Sequence, residues 1–272
     1  MKCCRFLFEG QALYGAVEER GGEPWIVDLA PAPEEDHAFR LVHGRATAWS
    51  FDFEPMALRA ATLLPPVLPG KILCVGRNYR DHAKELGNEV PVEPLLFWKP
   101  VSSLLAPGGV VRMPHVAERV DFEGELALVI DKRMRHFRVG GDWRSHVRGY
   151  TIANDVTARD LQKKDGQWTR AKGFDTFCPV GPLLSDEIDP EAGVTVETRV
   201  NGELKQQGST RDFIFPIPEL LAYMSAAFTL EPGDLVLTGT PAGVAPLKPG
   251  DRVDVSIQGL GTLSNAFAAD EG

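Results

Sequence analysis

Residues 121–130 have the sequence DFEGELALVI, in which Glu123 and Glu125 stand at the start of an uninterrupted apolar run. The run has the length and the aliphatic content of a buried strand. Side chains two positions apart on a strand project from the same face, so the two glutamates are expected to lie side by side. Paired carboxylates repel each other unless a cation or a proton intervenes, and hard divalent ions such as Mg²⁺ and Mn²⁺ prefer oxygen ligands. A solvated strand edge is the alternative, which the adjoining apolar run disfavours.

A further carboxylate, Asp155, follows a second apolar strand candidate at Gly149–Asn154. An oxygen ligand at the end of this strand would complete a carboxylate set for a divalent cation, with coordination positions left open for water and substrate. The sequence therefore offers Glu123, Glu125 and Asp155 as candidate metal ligands.

Strand candidates outnumber helix candidates in the remainder of the chain. The strands are expected at Lys71–Val75, Glu125–Ile130, Tyr150–Asn154, Val194–Val200, Asp234–Thr238 and Arg252–Ile257. Helices are expected at Asn78–Leu86, Ala158–Lys164 and Ile217–Phe228. The repeated strand–helix alternation of a doubly wound sheet is missing, so the predicted class is α+β, dominated by strand. Asn201-Gly202, between two strand-like runs, predicts a tight hairpin.

A proline-rich segment divides the chain into two predicted domains. Residues 63–70, LLPPVLPG, contain three prolines and a glycine, which disfavour a regular element and predict a linker. A small domain with short strands at 12–17 and 25–29 would occupy residues 1–65, and the main domain residues 70–270.

Composition excludes several classes of protein. The 272 residues carry 29 Lys and Arg against 38 Asp and Glu, a formal net charge of −9. This acidic balance, without a basic run, disfavours a nucleic-acid partner. Apolar windows of bilayer-spanning length and a signal-peptide pattern are missing, and the four cysteines lack zinc-ligand spacing. A cytoplasmic protein without a membrane partner is the default expectation.

A candidate general base lies in residues 76–85, GRNYRDHAKE. His82 and Glu85 are three positions apart, and such positions are neighbours on a helix. A carboxylate that orients an imidazole and raises its basicity makes a base that can activate water. A surface His–Glu pair that contributes little is the alternative.

Several other positions could contribute charge or anion contacts. Lys99, within LLFWKP, and Lys172, within WTRAKGFD, could each neutralise a substrate carboxylate or a developing enolate, or could be surface lysines with buried stems. Thr240 lies in a glycine-containing loop, TGTPAG, that could face an anion or form a plain turn. Arg159 and Asp160 are interpreted as a structural ion pair.

The order of these motifs along the chain resembles the fumarylacetoacetate hydrolase family. The motifs that carry the resemblance, over about residues 70 to 260, are Gly76–Tyr79 with His82 and Glu85, Phe97–Pro100, Glu123–Leu126, Asn154–Asp160, Ala171–Asp175, Val200–Glu203 and Leu237–Pro241. The resemblance implies a roll of stacked mixed β-sheets, usually assembled as a homodimer. It also implies a metal-dependent enzyme that acts on β-dicarbonyl or 2-oxo acids.

Carried over motif by motif, the resemblance assigns Mg²⁺ or Mn²⁺ to the three carboxylates Glu123, Glu125 and Asp155. It makes His82 and Glu85 a catalytic dyad on a lid-like segment.

For the remaining positions, the resemblance places Lys172 beside the metal, where it would stabilise an oxyanion or enolate. Thr240 would hold the substrate carboxylate. Arg77 and Lys99 match less decisively and are treated as pocket residues, either substrate-binding or structural.

Three reactions fit such a site, because all of them use an enolate of a 2-oxo acid that a divalent ion can stabilise. The favoured hypothesis is hydrolysis of a C–C bond in acylpyruvate-type β-diketo acids, with decarboxylation of oxaloacetate as a further activity. The alternative is an isomerase or decarboxylase of hydroxymuconate-like diacids, of the 2-hydroxyhepta-2,4-diene-1,7-dioate type, in aromatic catabolism. A non-catalytic metal- or ligand-binding protein is the hypothesis from another class.

Overall fold

Strands dominate the structure, as the aliphatic and β-branched runs predict. The computed structural model describes residues 1–36, 53–85, 87 and 89–270. The strands of the first half are β1 (Lys2–Phe8), β2 (Gln11–Arg20), β3 (Glu23–Ala30), β4 (Met56–Ala57), β5 (Thr62–Leu64), β6 (Ile72–Gly76), β7 (Leu95–Lys99), β8 (Leu104–Leu105), β9 (Val110–Met113), β10 (Val120–Asp121) and β11 (Gly124–Ile130). Those of the second half are β12 (Val147–Asn154), β13 (Thr157–Ala158), β14 (Cys178–Ser185), β15 (Thr195–Val200), β16 (Glu203–Ser209), β17 (Leu235–Leu237), β18 (Arg252–Ile257) and β19 (Gly261–Ala269).

Helices are few and short in these residues. They are α1 (Arg80–Glu85), α2 (Arg159–Asp165), α3 (Thr169–Gly173), α4 (Pro190–Gly193) and α5 (Ile217–Ala227). Each of the three predicted helices has its counterpart, in α1, α2 and α5, although the predicted first helix extends to Leu86, which lies outside the described residues. The predicted α+β class is confirmed. Within the described residues, the helices lack the length and apolar character needed to cross a bilayer.

The strands form one large mixed sheet and two smaller sheets. The path of the large sheet is β4-β3-β2-β1-β14-β12-β11-β17-β6-β7, with β5 paired to β1 and β8 paired to β14. A second sheet has the order β16-β15-β18-β19-β9, and β10 pairs with β13. Most neighbours are antiparallel, whereas β17 and β6 are parallel.

The core lies on both faces of the large sheet, which explains the unbroken apolar sequence of β11. Leu126 and Leu128 belong to a buried cluster that includes Val196 and Val255 of the second sheet. Ala127, between them in sequence, belongs to a different buried cluster. A strand covered on both faces has no solvent side, so its sequence does not alternate between apolar and polar residues.

The hairpin at Asn201-Gly202 is confirmed. Strands β15 and β16 pair antiparallel, with Val200 opposite Glu203. Both turn residues have a positive φ, +52° for Asn201 and +84° for Gly202, which asparagine and glycine tolerate best.

The N-terminal strands continue the large sheet. Strand β1 pairs with β14, with Lys2 opposite Ser185 and Cys3 opposite Leu184. The first two residues of the predicted linker, Leu63 and Leu64, lie in β5, because the prolines begin only after them. The division into domains at residues 65–70 stays a prediction.

Candidate active site

Four strands of the large sheet bring their functional segments to one edge. Strand β11 is antiparallel to both β12 and β17, so its start lies beside their ends. Strand β6 is parallel to β17, so its end lies at the same edge. The segments that follow or precede these strand ends are Arg77–Glu85, Glu123–Glu125, Asp155 and Thr238–Gly243.

The three predicted carboxylate ligands meet at this edge. One oxygen from each of Glu123, Glu125 and Asp155 lies within 4.8 Å of the others, and all three residues are buried. Gly124 is paired with Asn154, so the residues that flank this pair, Glu123 and Asp155, become neighbours. The Glu123 amide donates to Asn154 Oδ1 at 2.9 Å, and this bond fixes the start of β11.

Among the three carboxylates, Glu125 is the one whose negative charge is least balanced by neighbouring cations. Within the described residues it forms no ion pair, whereas Glu123 and Asp155 each have lysine or arginine partners. Its Oε2 accepts a hydrogen bond of 2.7 Å from the Gly239 amide. Burial and the negative charges of Asp155 and Glu123 raise the pKa of the Glu125 carboxyl well above its usual range.

Lys172 bridges the other two carboxylates. Its ammonium donates to Glu123 Oε2 at 2.8 Å, to Asp155 Oδ2 at 2.5 Å and to Thr157 Oγ1 at 2.9 Å. Burial alone would lower the pKa of Lys172, but the adjacent carboxylates hold it above its usual value. Burial would likewise raise the pKa of Glu123, but the charges of Lys172 and Arg159 hold it well below its usual range.

Lys99 lies behind the cluster rather than in the cavity. Its fully buried ammonium donates to Asp155 Oδ1 at 2.6 Å, to the Val156 carbonyl at 3.3 Å and to the Lys172 carbonyl. Of its two predicted roles, contact with substrate and structural support, this geometry favours support of Asp155.

Arg159 joins the carboxylate cluster, which the sequence interpretation missed. Its guanidinium donates to Glu123 Oε1 at 2.5 Å and to Asp121 Oδ2 at 3.0 Å. Asp160 instead accepts from the backbone amides of Glu118 and Arg119, so the expected Arg159–Asp160 ion pair is wrong. The carboxylate partners of Arg159 are 36 and 38 positions away, so adjacency in sequence gave a misleading signal.

The predicted dyad is assembled on α1. His82 Nδ1 lies 3.3 Å from Glu85 Oε2, and Glu85 also accepts from the Gly243 amide at 3.0 and 3.1 Å. Burial lowers the pKa of the His82 imidazole, and the negative charge of Glu123 partly offsets this effect. The lowered pKa favours the neutral imidazole, which is the form that can accept a proton.

A cavity of about 450 Å³ opens at the carboxylate cluster. It is lined by most of the predicted site residues together with further polar groups: Val75, Gly76, Arg77, His82, Glu85, Arg119, Glu123, Glu125, Arg159, Gln162, Lys163, Trp168, Lys172, Thr240 and Val244. Asp155 and Lys99 lie behind this wall. The Thr240 hydroxyl lines the cavity but already donates to the Gly124 carbonyl at 2.9 Å.

Comparison with known proteins gives the family. Residues 71–268 match the model of the C-terminal domain of fumarylacetoacetate (FAA) hydrolase. The chain belongs to the fumarylacetoacetate hydrolase family. An oxaloacetate tautomerase of Bacillus subtilis is 46% identical over 206 residues, which cover 71% of this chain and 68% of the relative. A mitochondrial oxaloacetate decarboxylase of Dictyostelium discoideum is 46% identical over 198 residues, which cover 71% of this chain and 90% of the relative.

A solved structure extends the similarity to the whole chain. The 2-hydroxyhepta-2,4-diene-1,7-dioate isomerase of Mycobacterium marinum is 37% identical, with a TM-score of 0.84 and coverage of 100% of both chains. The predicted family and its strand-rich fold are confirmed. This chain is an enzyme of the fumarylacetoacetate hydrolase family, and its relatives include tautomerases, decarboxylases and isomerases.

The residues at the carboxylate cluster fit a divalent metal ion. Three buried carboxylate oxygens converge within 4.8 Å, which suits a hard cation with oxygen ligands. Members of this family usually bind a divalent ion, in agreement with this acidic triad. The uncompensated carboxylate of Glu125 is the strongest local indication, because a cation would remove its repulsion with Asp155 and Glu123.

Proposed function

We propose that this chain is a Mg²⁺- or Mn²⁺-dependent enzyme that interconverts or decarboxylates a short 2-oxo dicarboxylic acid through its enolate, with oxaloacetate as the first substrate to test. The observation that carries the proposal is that Glu123 and Glu125 of the carboxylate cluster line one cavity together with the cationic side chains Arg77, Arg119 and Lys163. A dianionic acid with a 2-oxo group would complement these cationic side chains and a divalent cation held by the carboxylate cluster. Relatives named as oxaloacetate tautomerase and decarboxylase support the same substrate class.

The chemistry divides between a metal ion and the protein. Glu123, Glu125 and Asp155 would hold the ion, which when bound would supply a Lewis acid for a 2-oxo acid. Lys99 would keep Asp155 in place through its 2.6 Å bond. These assignments are proposals that follow from the contacts of each side chain.

The protein's own cations would bind and stabilise the substrate. Lys172, in the cavity wall beside Glu123, would stabilise negative charge that develops on the enolate oxygen. Arg77 would hold a carboxylate of the substrate, since guanidinium groups form strong charge-assisted bonds to carboxylates. Arg119 already donates to Asp121 at 2.8 and 3.0 Å, so it would assist only through its remaining N–H groups. Thr240 could take part only if its hydroxyl exchanged the bond to Gly124 for one to the substrate.

Hydrolysis of an acylpyruvate is the second candidate, and the His82–Glu85 pair favours it. The buried imidazole, whose lowered pKa favours the neutral form, lies beside the Glu85 carboxylate and is part of the cavity wall. Such a base can take a proton from water, which hydrolysis requires and tautomerisation or decarboxylation does not. Ketonisation of a hydroxymuconate-like diacid is the corresponding proposal for an isomerase, and it needs only a proton transfer on the same framework.

Three further features remain proposals from the sequence: a homodimer, a cytoplasmic location and the division at residues 65–70. Light scattering of the purified protein tests the first. A mass of twice 29.8 kDa is expected for the dimer, and a mass of 29.8 kDa would contradict it.

Proton NMR with three substrates tests the proposed function. Oxaloacetate, acetylpyruvate and a hydroxymuconate-type diacid are each incubated with protein and Mn²⁺ or Mg²⁺, beside samples with metal alone and with EDTA. Faster enol–keto exchange or pyruvate formation from oxaloacetate, lost in EDTA and in Glu125→Gln, is the expected result. Acetate and pyruvate from acetylpyruvate would move the assignment to the hydrolase. Loss of all three activities in protein that holds metal would favour a binding protein.

Glu118→Gln is the matched control, because Glu118 is an exposed glutamate outside the cavity wall. Equal activity of this variant and the unmodified protein separates the effect of the cluster from that of a lost surface charge.

A further inference from the structure

Gln206 lies next to the carboxylate cluster although it belongs to the second sheet. It is on β16, opposite Thr198 of β15, and only 1% of its surface is exposed. The pairing of these strands shifts after Thr198, since Arg199 lies opposite Leu204 and Lys205 is the extra residue. A bulge of this kind changes the direction in which the following side chain projects. Beyond the bulge, Gln206 is buried and Gln207 is exposed.

The amide of Gln206 makes three hydrogen bonds toward the site. Its Oε1 accepts from the Gly124 amide at 3.0 Å, and its Nε2 donates to Thr240 Oγ1 and to the Pro241 carbonyl, both at 2.8 Å. The Thr240 hydroxyl donates in turn to the Gly124 carbonyl at 2.9 Å, which closes a ring of hydrogen bonds. Both amide hydrogens are used, so the orientation of the side chain is fixed.

These bonds act on two parts of the site. Gly124 separates the proposed ligands Glu123 and Glu125, so the bond from its amide to Gln206 fixes the backbone between them. Pro241 is in the middle of the loop Gly239–Gly243, whose first amide donates to Glu125 and whose last amide donates to Glu85.

The loop Gly239–Gly243 also packs closely against strand β16. A Cβ at Gly243 would lie 2.0 Å from the Lys205 carbonyl oxygen, and one at Gly208 would lie 2.5 Å from Pro241 Cβ. Strand β16 is therefore the platform on which this loop is held.

We propose that Gln206 is a positioning residue that sets the geometry of the metal ligand Glu125 and of the dyad carboxylate Glu85 together. The inference rests on the proposed metal role of the cluster. Polar groups that orient metal ligands commonly change metal affinity 10- to 100-fold when they are removed. Gln206 would act in this way on two carboxylates at once, one through Gly124 and Gly239 and the other through Gly243.

Mn²⁺ titration calorimetry on the full chain provides the test, with Gln206→Leu and Gln207→Leu compared. Gln207 is the matched control, because it is the adjacent glutamine, is exposed, and its side-chain amide donates to Glu197 at 2.8 Å, away from the carboxylate cluster. We expect the dissociation constant of Mn²⁺ to rise about 10- to 100-fold in Gln206→Leu and to stay within about 2-fold in Gln207→Leu.

Gln206→Glu keeps the proposal testable if the leucine variant does not fold. The glutamate can still accept from Gly124, but its carboxylate cannot donate to Thr240 or to Pro241. Its added negative charge would by itself strengthen cation binding, so weaker Mn²⁺ binding in this variant must come from lost positioning. A changed electron paramagnetic resonance spectrum of bound Mn²⁺ is expected as well.

The outcomes separate the two proposals. If the unmodified protein binds no Mn²⁺, the proposed function is wrong, and the inference is overturned with it. If it binds Mn²⁺ and the folded Gln206 variants match it in affinity and spectrum, the proposed function stands and the positioning role of Gln206 is wrong.

Discussion

The backbone amide of Asp155 donates to the carbonyl of Glu123 at 2.8 Å. This bond continues the pairing of β11 and β12 by one step beyond Gly124 and Asn154. Two carboxylates that are far apart in sequence are therefore held together by their main chains, and not only by the cations between their side chains. The cluster is built into the sheet, so substitutions of its side chains can be made without removing the strand register.

Glu125→Gln is expected to abolish Mn²⁺ binding while stabilising the metal-free protein. The glutamine removes the repulsion with Asp155 and Glu123 that helps to raise the pKa of Glu125, and its amide oxygen can still accept from Gly239. A gain of about 1 kcal/mol corresponds to an increase of about 2–4 °C in melting temperature for a protein of this size. Thermal unfolding in EDTA and Mn²⁺ calorimetry measure the two effects. A lower melting temperature combined with unchanged Mn²⁺ affinity would contradict the assignment of Glu125.

Mn²⁺ binding is expected to strengthen as the pH rises. The pKa of Glu125 in the metal-free protein is raised, so below that pKa a proton competes with the cation, and above it the competition ends. The affinity should increase by up to about 10-fold per pH unit in the range where one proton is displaced. Calorimetry in two buffers of different ionisation enthalpy would detect the released proton. An affinity and enthalpy that depend on neither pH nor buffer would show that Glu125 is already ionised.

Lys99→Met is expected to lower the free energy of unfolding by about 3–5 kcal/mol. The substitution removes one of the cations that balance the negative charge of the buried Asp155 carboxylate. Urea denaturation in EDTA measures this change. Lys84→Met is the control, since the side chain of Lys84 is 70% exposed and its pair with Asp81 is long, at 3.5 Å. An exposed substitution of this kind should stay within about 0.5 kcal/mol. Equal effects of the two substitutions would contradict the supporting role of Lys99.

His82→Ala distinguishes hydrolysis from reactions that do not use water. If the dyad activates water, cleavage of acetylpyruvate should fall about 10²- to 10⁴-fold, while Mn²⁺ affinity and decarboxylation of oxaloacetate are kept. In the unmodified protein, the rate of cleavage should decline toward acid with a midpoint below 6.5, because burial lowers the pKa of His82. Exposed His115 supplies the control variant, His115→Ala. Full cleavage activity in His82→Ala would exclude the dyad as the base.

The secondary-structure class, the Asn201-Gly202 hairpin and the three candidate ligands could be predicted from the sequence. These features depend on local order: the alternation of side chains along a strand, the backbone preferences of a turn and the length of apolar runs. The pair Glu123 and Glu125 could be identified because Gly124 alone separates them. Asp155 could be identified because it follows an apolar strand.

The pairing of charged groups at the site could not be predicted from local sequence. Arg159 contacts Asp121 and Glu123 rather than its neighbour Asp160. The antiparallel pairing of β10 with β13, which directly precedes Arg159, brings these residues together although they are distant in sequence. Lys99 lies behind Asp155, although its apolar surroundings in sequence allowed a place in the cavity. Gln206 reaches the cluster through a bulge between strands of another sheet. Local sequence fixes which face of a strand a side chain occupies, but the registers between distant strands fix what that face meets.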